Sequence, residues 1–118
     1  MIEAKALATQ IAEILDKKGA TDIQIIEVGH MTSITDFFVV ASGRYVQSVH
    51  TLAEDLEDKL AEEDVLPRRK EGKNGARWIV LDYAHVIVHI FHPEERQYYN
   101  IERLWQDGTN EEHYESKN

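Results

Sequence analysis

Three histidines, His85, His89 and His92, lie within eight residues of one another in a chain of 118, and imidazole clusters commonly hold metal ions. Placed on a strand, positions 85 and 89 share one face while 92 lies on the other. Three ligands cannot converge from that geometry, so no metal site and no cofactor is expected. Ser42-Gly43 closes one apolar run and precedes a helical pattern, where a phosphate-binding loop or a nucleotidyltransferase Gly-Ser turn would sit. Arg44-Tyr45-Val46 supplies neither the further glycines nor the Lys-Ser/Thr pair of a phosphate loop. A nucleotidyltransferase needs two metal-binding carboxylates on adjacent strand positions. Asp55 and Glu57 fall about 200° apart on a helix, and Asp36 and Asp82 are lone acids at strand ends. Ser33 and Ser42 have nothing like a nucleophile elbow around them. Catalysis therefore finds no support in residue spacing.

The aromatic residues carry more. Trp78 and Tyr83, then Tyr98, Tyr99 and Trp105, flank Arg96 and Arg103. Tyr, Trp and Arg dominate interface hot spots, where truncation can cost about 2 kcal/mol or more. A terminal segment this aromatic either pins itself to a core or meets a partner. Tyr99 and Trp105 are six residues apart and do not share one helical face. One face turned in and one turned out is expected, which points to a binding protein.

The elements that must position these residues follow from periodicity. Ala4, Leu7, Ala8, Ile11, Ile14 and Leu15 form one helical stripe, ended by Gly19. Asp22 to Val28 alternates as a strand. Thr35 to Gly43 is apolar at both parities, the mark of a central strand covered on both faces. A second helix runs from about Tyr45 to Glu63, with Val49, Leu52, Ala53, Leu56 and Leu60 inward, and Pro67 bars its continuation. Arg68 to Gly72 suits a short edge strand, since basic side chains discourage edge pairing. Ile79 to Tyr83 and Val86 to His92 read as a hairpin. Pro93, Glu94 and Glu95 open a last helix. The expectation is an α/β fold in one domain, 1–108, a mixed sheet of about five strands in the order αββαβββα flanked by helices, with a flexible acidic tail at 109–118.

Composition narrows the partners. There is no cysteine, hence no disulfide, thiol nucleophile or cysteine-ligated zinc. No apolar stretch approaches the ~20 residues that cross a bilayer and the N-terminus lacks a signal-peptide pattern, so a cytoplasmic protein with no membrane partner is expected. The formal charge of −9 disfavours broad binding to nucleic acid and favours basic partners. Residues 1–66 hold 13 acids against five bases. Arg68, Arg69, Lys70, Lys73 and Arg77 oppose only Glu71 in the segment that follows, a solvated turn or a local contact for RNA phosphates.

Taken together, Thr35-Asp36-Phe37-Phe38-Val39-Val40-Ala41-Ser42-Gly43, Glu71-Gly72, Trp78-Ile-Val-Leu-Asp82-Tyr83, Val88-His89-Ile-Phe91 and Arg96-Gln-Tyr98-Tyr99-Asn-Ile-Glu102-Arg103-Leu-Trp105 resemble the ribosomal silencing factors, or Iojap-like family, across nearly the whole chain. The departure is Ala84-His85 at the hairpin tip, where the family pattern has a Gly-Asp pair. The resemblance implies a nucleotidyltransferase-like fold without the catalytic acids. It implies a translational repressor that binds the large ribosomal subunit through its protein L-fourteen and sterically blocks joining of the small subunit when nutrients are limiting. A role in large-subunit assembly is also implied. On this reading Trp78, Leu81, Tyr98 and Tyr99 form the apolar anchor, and Asp82 and Glu102 belong to an acidic rim facing a basic partner. Arg68, Arg69 and Lys70 are candidates for a minor contact with ribosomal RNA, and the binding face could pair with itself as a homodimer off the ribosome. The alternative is a small metal-dependent nucleotidyltransferase using Asp36 and Asp82.

Overall fold

A computed structural model describes residues 3–73, 75 and 77–117. Helix α1 (Ala4–Lys17) buries Leu7, Ala8, Ile11 and Leu15, the stripe that periodicity requires. Gly19 ends it in the left-handed region at φ +96, where a residue without Cβ is unstrained. Strand β1 (Thr21–Glu27) follows with a bulge between Thr21 and Gln24. Strand β2 (Phe37–Ser42) is buried along its whole length. It lies antiparallel to β1 and parallel to β5 (Val86–Phe91).

Helix α2 (Val46–Ala61) begins where the Ser48 hydroxyl accepts the Tyr45 N–H at 2.8 Å and donates to the Tyr45 carbonyl. Gly43 lets the end of β2 approach this turn, since a Cβ there would stand 2.9 Å from the Val49 nitrogen. Edge strand β3 (Arg69–Lys73) pairs with β4 (Trp78–Asp82), which pairs with β5. The β4–β5 turn holds Ala84 at φ +72, supported by the Asp82 carboxylate, which accepts the Ala84 N–H at 2.8 Å. A glycine here would take this conformation without the Cβ clash.

Two expectations are corrected. The last helix is not continuous: α3 (Pro93–Tyr99) and α4 (Ile101–Trp105) are separated by Asn100 at φ 45, ψ 52. Asparagine is among the few residues that visit the left-handed region readily, and the break turns α4 back onto the sheet. The sheet has six strands, not about five, in the order β3-β4-β5-β2-β1-β6. The sixth, β6 (Glu111–His113), comes from the tail expected to be loose and pairs antiparallel with β1. It satisfies backbone groups that an open β1 edge would leave to solvent. Beyond it, the Ser116 hydroxyl and the Lys117 N–H both donate to the buried Asp16 carboxylate, at 2.6 and 2.9 Å.

Helices α1 and α2 cover one face of the sheet. Phe37, Val39, Ala41, Ile79, Leu81, Val86, Val88 and Ile90 point into that core. The opposite face carries Ile26, Val28, Phe38, Val40 and Phe91, with Ile101 and Trp105 of α4 packed over them. That second cover thins over β3 and β4, where Trp78, Val80, Asp82 and the neighbouring Ile87 stay partly exposed, and this is what positions the site.

Candidate partner-binding face

On β4 the pleat sends Ile79 and Leu81 to the helical core and Trp78, Val80 and Asp82 to the open face. On β5 it sends Ile87, His89 and Phe91 the same way. The result is a depression of about 280 Å³ floored by Phe38, Val80, Ile87 and His89. Trp78 and Trp105 stand at its sides, with Arg69, Glu71, Asp82, Thr32 and Ile34 around it.

The rings form a continuous series across the face. Tyr98 meets Tyr99 edge-on at 5.0 Å, and Tyr99 meets Trp78 at 4.9 Å. Trp78 stacks on Phe91 at 4.8 Å and lies 5.9 Å from His89. His89 meets Phe38 at 4.9 Å, and Phe38 meets Trp105 edge-on at 5.1 Å. The edge-on and stacked pairs among them are geometries that aromatic quadrupoles favour. Phe91, Phe38 and His89 are buried within the series, while Trp78, Tyr98, Tyr99 and Trp105 carry its accessible part.

The six expected site residues divide between four places. Trp78 and Asp82 lie at the depression. Tyr98 is 81% exposed on α3, with Tyr99 partly covered beside it. Leu81 is fully buried on the opposite face, packed with the helices, and is not available as an anchor. The pleat requires this, because residues three apart on a strand point to opposite faces. Glu102 is 8% exposed and does not belong to a rim. The Arg96 Nε donates to its carboxylate at 2.6 Å, and the Arg96 Nη1 donates to the Ser42 hydroxyl at 2.9 Å. This buried network ties α3 and α4 to the end of β2. Phe38 and Ile87 are site residues that the sequence reading did not single out, and Trp105 of the aromatic cluster joins them at the depression. The available signal for the two strand residues was parity, which matters only once the free face is known.

Charge at the face is balanced locally. Arg68 reaches the Asp82 carboxylate at 3.2 Å and Arg69 lies 3.7 Å from Glu71. Lys70, on the far side of β3, pairs with Glu57 of α2 at 2.9 Å. The Asp36 carboxylate lies 3.0 Å from His85 Nδ1. Asp36 and Asp82 both belong to the open-face parity, but β5 runs between their strands. Two strand spacings, about 9–10 Å, separate them, too far to clamp one ion. His92 caps α3, its Nδ1 accepting the Glu94 N–H at 3.3 Å, so the three histidines occupy a turn, the open face and a helix start.

The sequence model of the family described as "Ribosomal silencing factor during starvation" matches residues 1–118. The chain belongs to that family. It is 33% identical over 104 residues to the ribosomal silencing factor of Bacillus subtilis, covering 88% of each chain. It is 28% identical over 109 residues to the mouse protein named for mitochondrial assembly of the ribosomal large subunit, covering 88% of this chain and 47% of that one. The crystal structure of a Chromobacterium violaceum protein matches with a TM-score of 0.84 at 30% identity, over 92% of both chains. The silencing-factor fold thus accounts for the mixed sheet, while the half-covered face is where this family member exposes apolar surface beside paired charges. No helix among the described residues is long and apolar enough to cross a membrane.

Proposed function

We propose that the chain represses translation by docking its open sheet face on the large ribosomal subunit, through protein L-fourteen, and standing where the small subunit must approach. The observation that carries this is the thinly covered part of the sheet, where Trp78, Tyr98 and Tyr99 and a 280 Å³ depression reach solvent in a member of the silencing-factor family. An apolar floor with neutralised charges around it fits an interface core, from which unpaired charge is normally depleted. Attraction to a basic partner comes instead from the acidic body, which raises the encounter rate from a distance. Contact with ribosomal RNA by Arg68, Arg69 and Lys70 would exchange their present carboxylate partners for phosphates, so its contribution is minor. The block is steric, and the chain contributes no bond-making step.

Co-sedimentation with separated ribosomal subunits, together with subunit-joining gradients, tests this. Selective binding to the large subunit with loss of joined ribosomes is expected, and Trp78→Ala and Tyr98→Ala should weaken both. Failure to bind either subunit would sink the proposal. Binding without any effect on joining would replace repression by an assembly role, the reading favoured by the name of the mouse relative.

A further inference from the structure

The depression has two walls of different construction. One is the β3–β4 ladder, whose pairs run from Arg69–Asp82 to Lys73–Trp78. The other is Trp105, the last residue of α4, with Thr32 and Ile34 of the β1–β2 loop. No strand pairing supports this second wall, and five residues of helix have little stability of their own. The last carbonyls of a helix also need partners from elsewhere.

One side chain serves the last of them. The Asn110 Nδ2 donates to the Trp105 carbonyl at 2.8 Å and to the Glu27 carbonyl at the end of β1 at 2.7 Å. Its Oδ1 accepts the Asp107 N–H at 2.7 Å. Asp107 in turn lies 2.9 Å from His30 Nε2 on the β1–β2 loop. A single amide therefore joins the end of α4 to the sheet and, through Asp107, to the loop that completes the wall. The structure assigns Asn110 as the positioning residue of the docking face, holding Trp105 at the distance from Trp78 that a partner must fit. This rests on the docking reading above. The backbone around Asn110 does not depend on the amide, because its carbonyl accepts the Glu27 N–H at 2.9 Å and β6 pairs with β1. A variant should therefore fold with the wall released.

The test measures the dissociation constant of the full chain for purified large ribosomal subunits, with thermal melts alongside. Asn110→Ala and Asn110→Asp are compared, each in the native and the Trp105→Ala background. The aspartate keeps the acceptor toward Asp107, loses the same two bonds and sets a carboxylate oxygen against both carbonyls, so it releases the wall at least as fully as alanine, and the melts show which variant stays folded. Both variants should bind about tenfold more weakly, the loss expected for one or two hydrogen bonds. In the Trp105→Ala background the further loss should fall below about twofold, since residues acting through one another are not additive. Unchanged binding by both variants, or an equal loss in both backgrounds, overturns the assignment. Native protein that fails to bind large subunits overturns the docking reading itself, and this inference with it.

Discussion

Trp78 Nε1 donates to His89 Nδ1 at 3.2 Å, from one strand to its neighbour across the open face. This bond sets the imidazole as an acceptor at Nδ1 and turns the indole over Phe91, 23° from parallel. The two residues that look most chemical in this region thus serve to hold a surface in shape. Trp78→Phe keeps most of the apolar area but removes the donor. It should lower stability by about 1–3 kcal/mol, the cost of leaving a buried acceptor unserved, read from urea unfolding. A loss below a few tenths of a kcal/mol would show that the bond does not order the face.

Leu81 and Tyr98 should separate stability from docking. Leu81→Ala removes a fully buried side chain and should cost about 2–5 kcal/mol. Glu102→Gln, which leaves the Arg96 guanidinium without its carboxylate, should cost about 3 kcal/mol. Tyr98→Ala should change stability by no more than about 0.5 kcal/mol, as an exposed surface substitution, while weakening large-subunit binding. Chemical denaturation and co-sedimentation on the three variants check this. A Leu81→Ala protein as stable as the native chain would mean that the two sheet faces have been exchanged.

Tyr83 offers a stabilising change. Its ring is buried, and its hydroxyl finds no hydrogen-bond partner among the described residues. Burial first, and then the charge of Glu57, push the phenol well above its ordinary range. Tyr83→Phe should raise stability by up to about 1 kcal/mol, because it removes a polar group that folding strips of water. A thermal melt decides it, and a lower midpoint would reveal a hydrogen bond that the hydroxyl makes in solution.

Acid should loosen the C-terminal segment. The Thr109 N–H and hydroxyl, and then His30, hold the Asp107 carboxyl down at about 2, against an ordinary value of 3.8. The Ser116 hydroxyl, followed by the Lys117 N–H, lowers Asp16. Groups depressed in the folded state contribute stability that is fully present above the ordinary carboxylate value and is lost as pH falls through the folded one. Protection factors at Asn110 and Glu112, which remove the intrinsic slowing of exchange toward about pH 3, should therefore fall between about pH 4 and pH 2. Unchanged protection across that window would show that these carboxylates do not fasten the segment.

The sequence by itself determined the order of the main elements, because local rules govern them. The helical stripe of α1, the two-sided apolar run of β2, the basic edge of β3 and the proline start of α3 all declare themselves within a few residues. Family membership was equally legible, since it rests on residue order. The inward side of Leu81 is also implicit in the sequence, as Trp78 and Leu81 have opposite parity and no flat strand presents both on one face. What only the tertiary structure decided is which face stays open. That depends on where α4 comes to rest, and so on the left-handed Asn100 and on the Arg96–Glu102–Ser42 network, whose members are up to 60 positions apart in the chain. Strand β6 is a further case: Glu-Glu-His carries no strand signal, and it pairs because β1 offers unmet backbone groups. Local pattern specifies an element, whereas the free surface is whatever the packing of distant elements leaves uncovered.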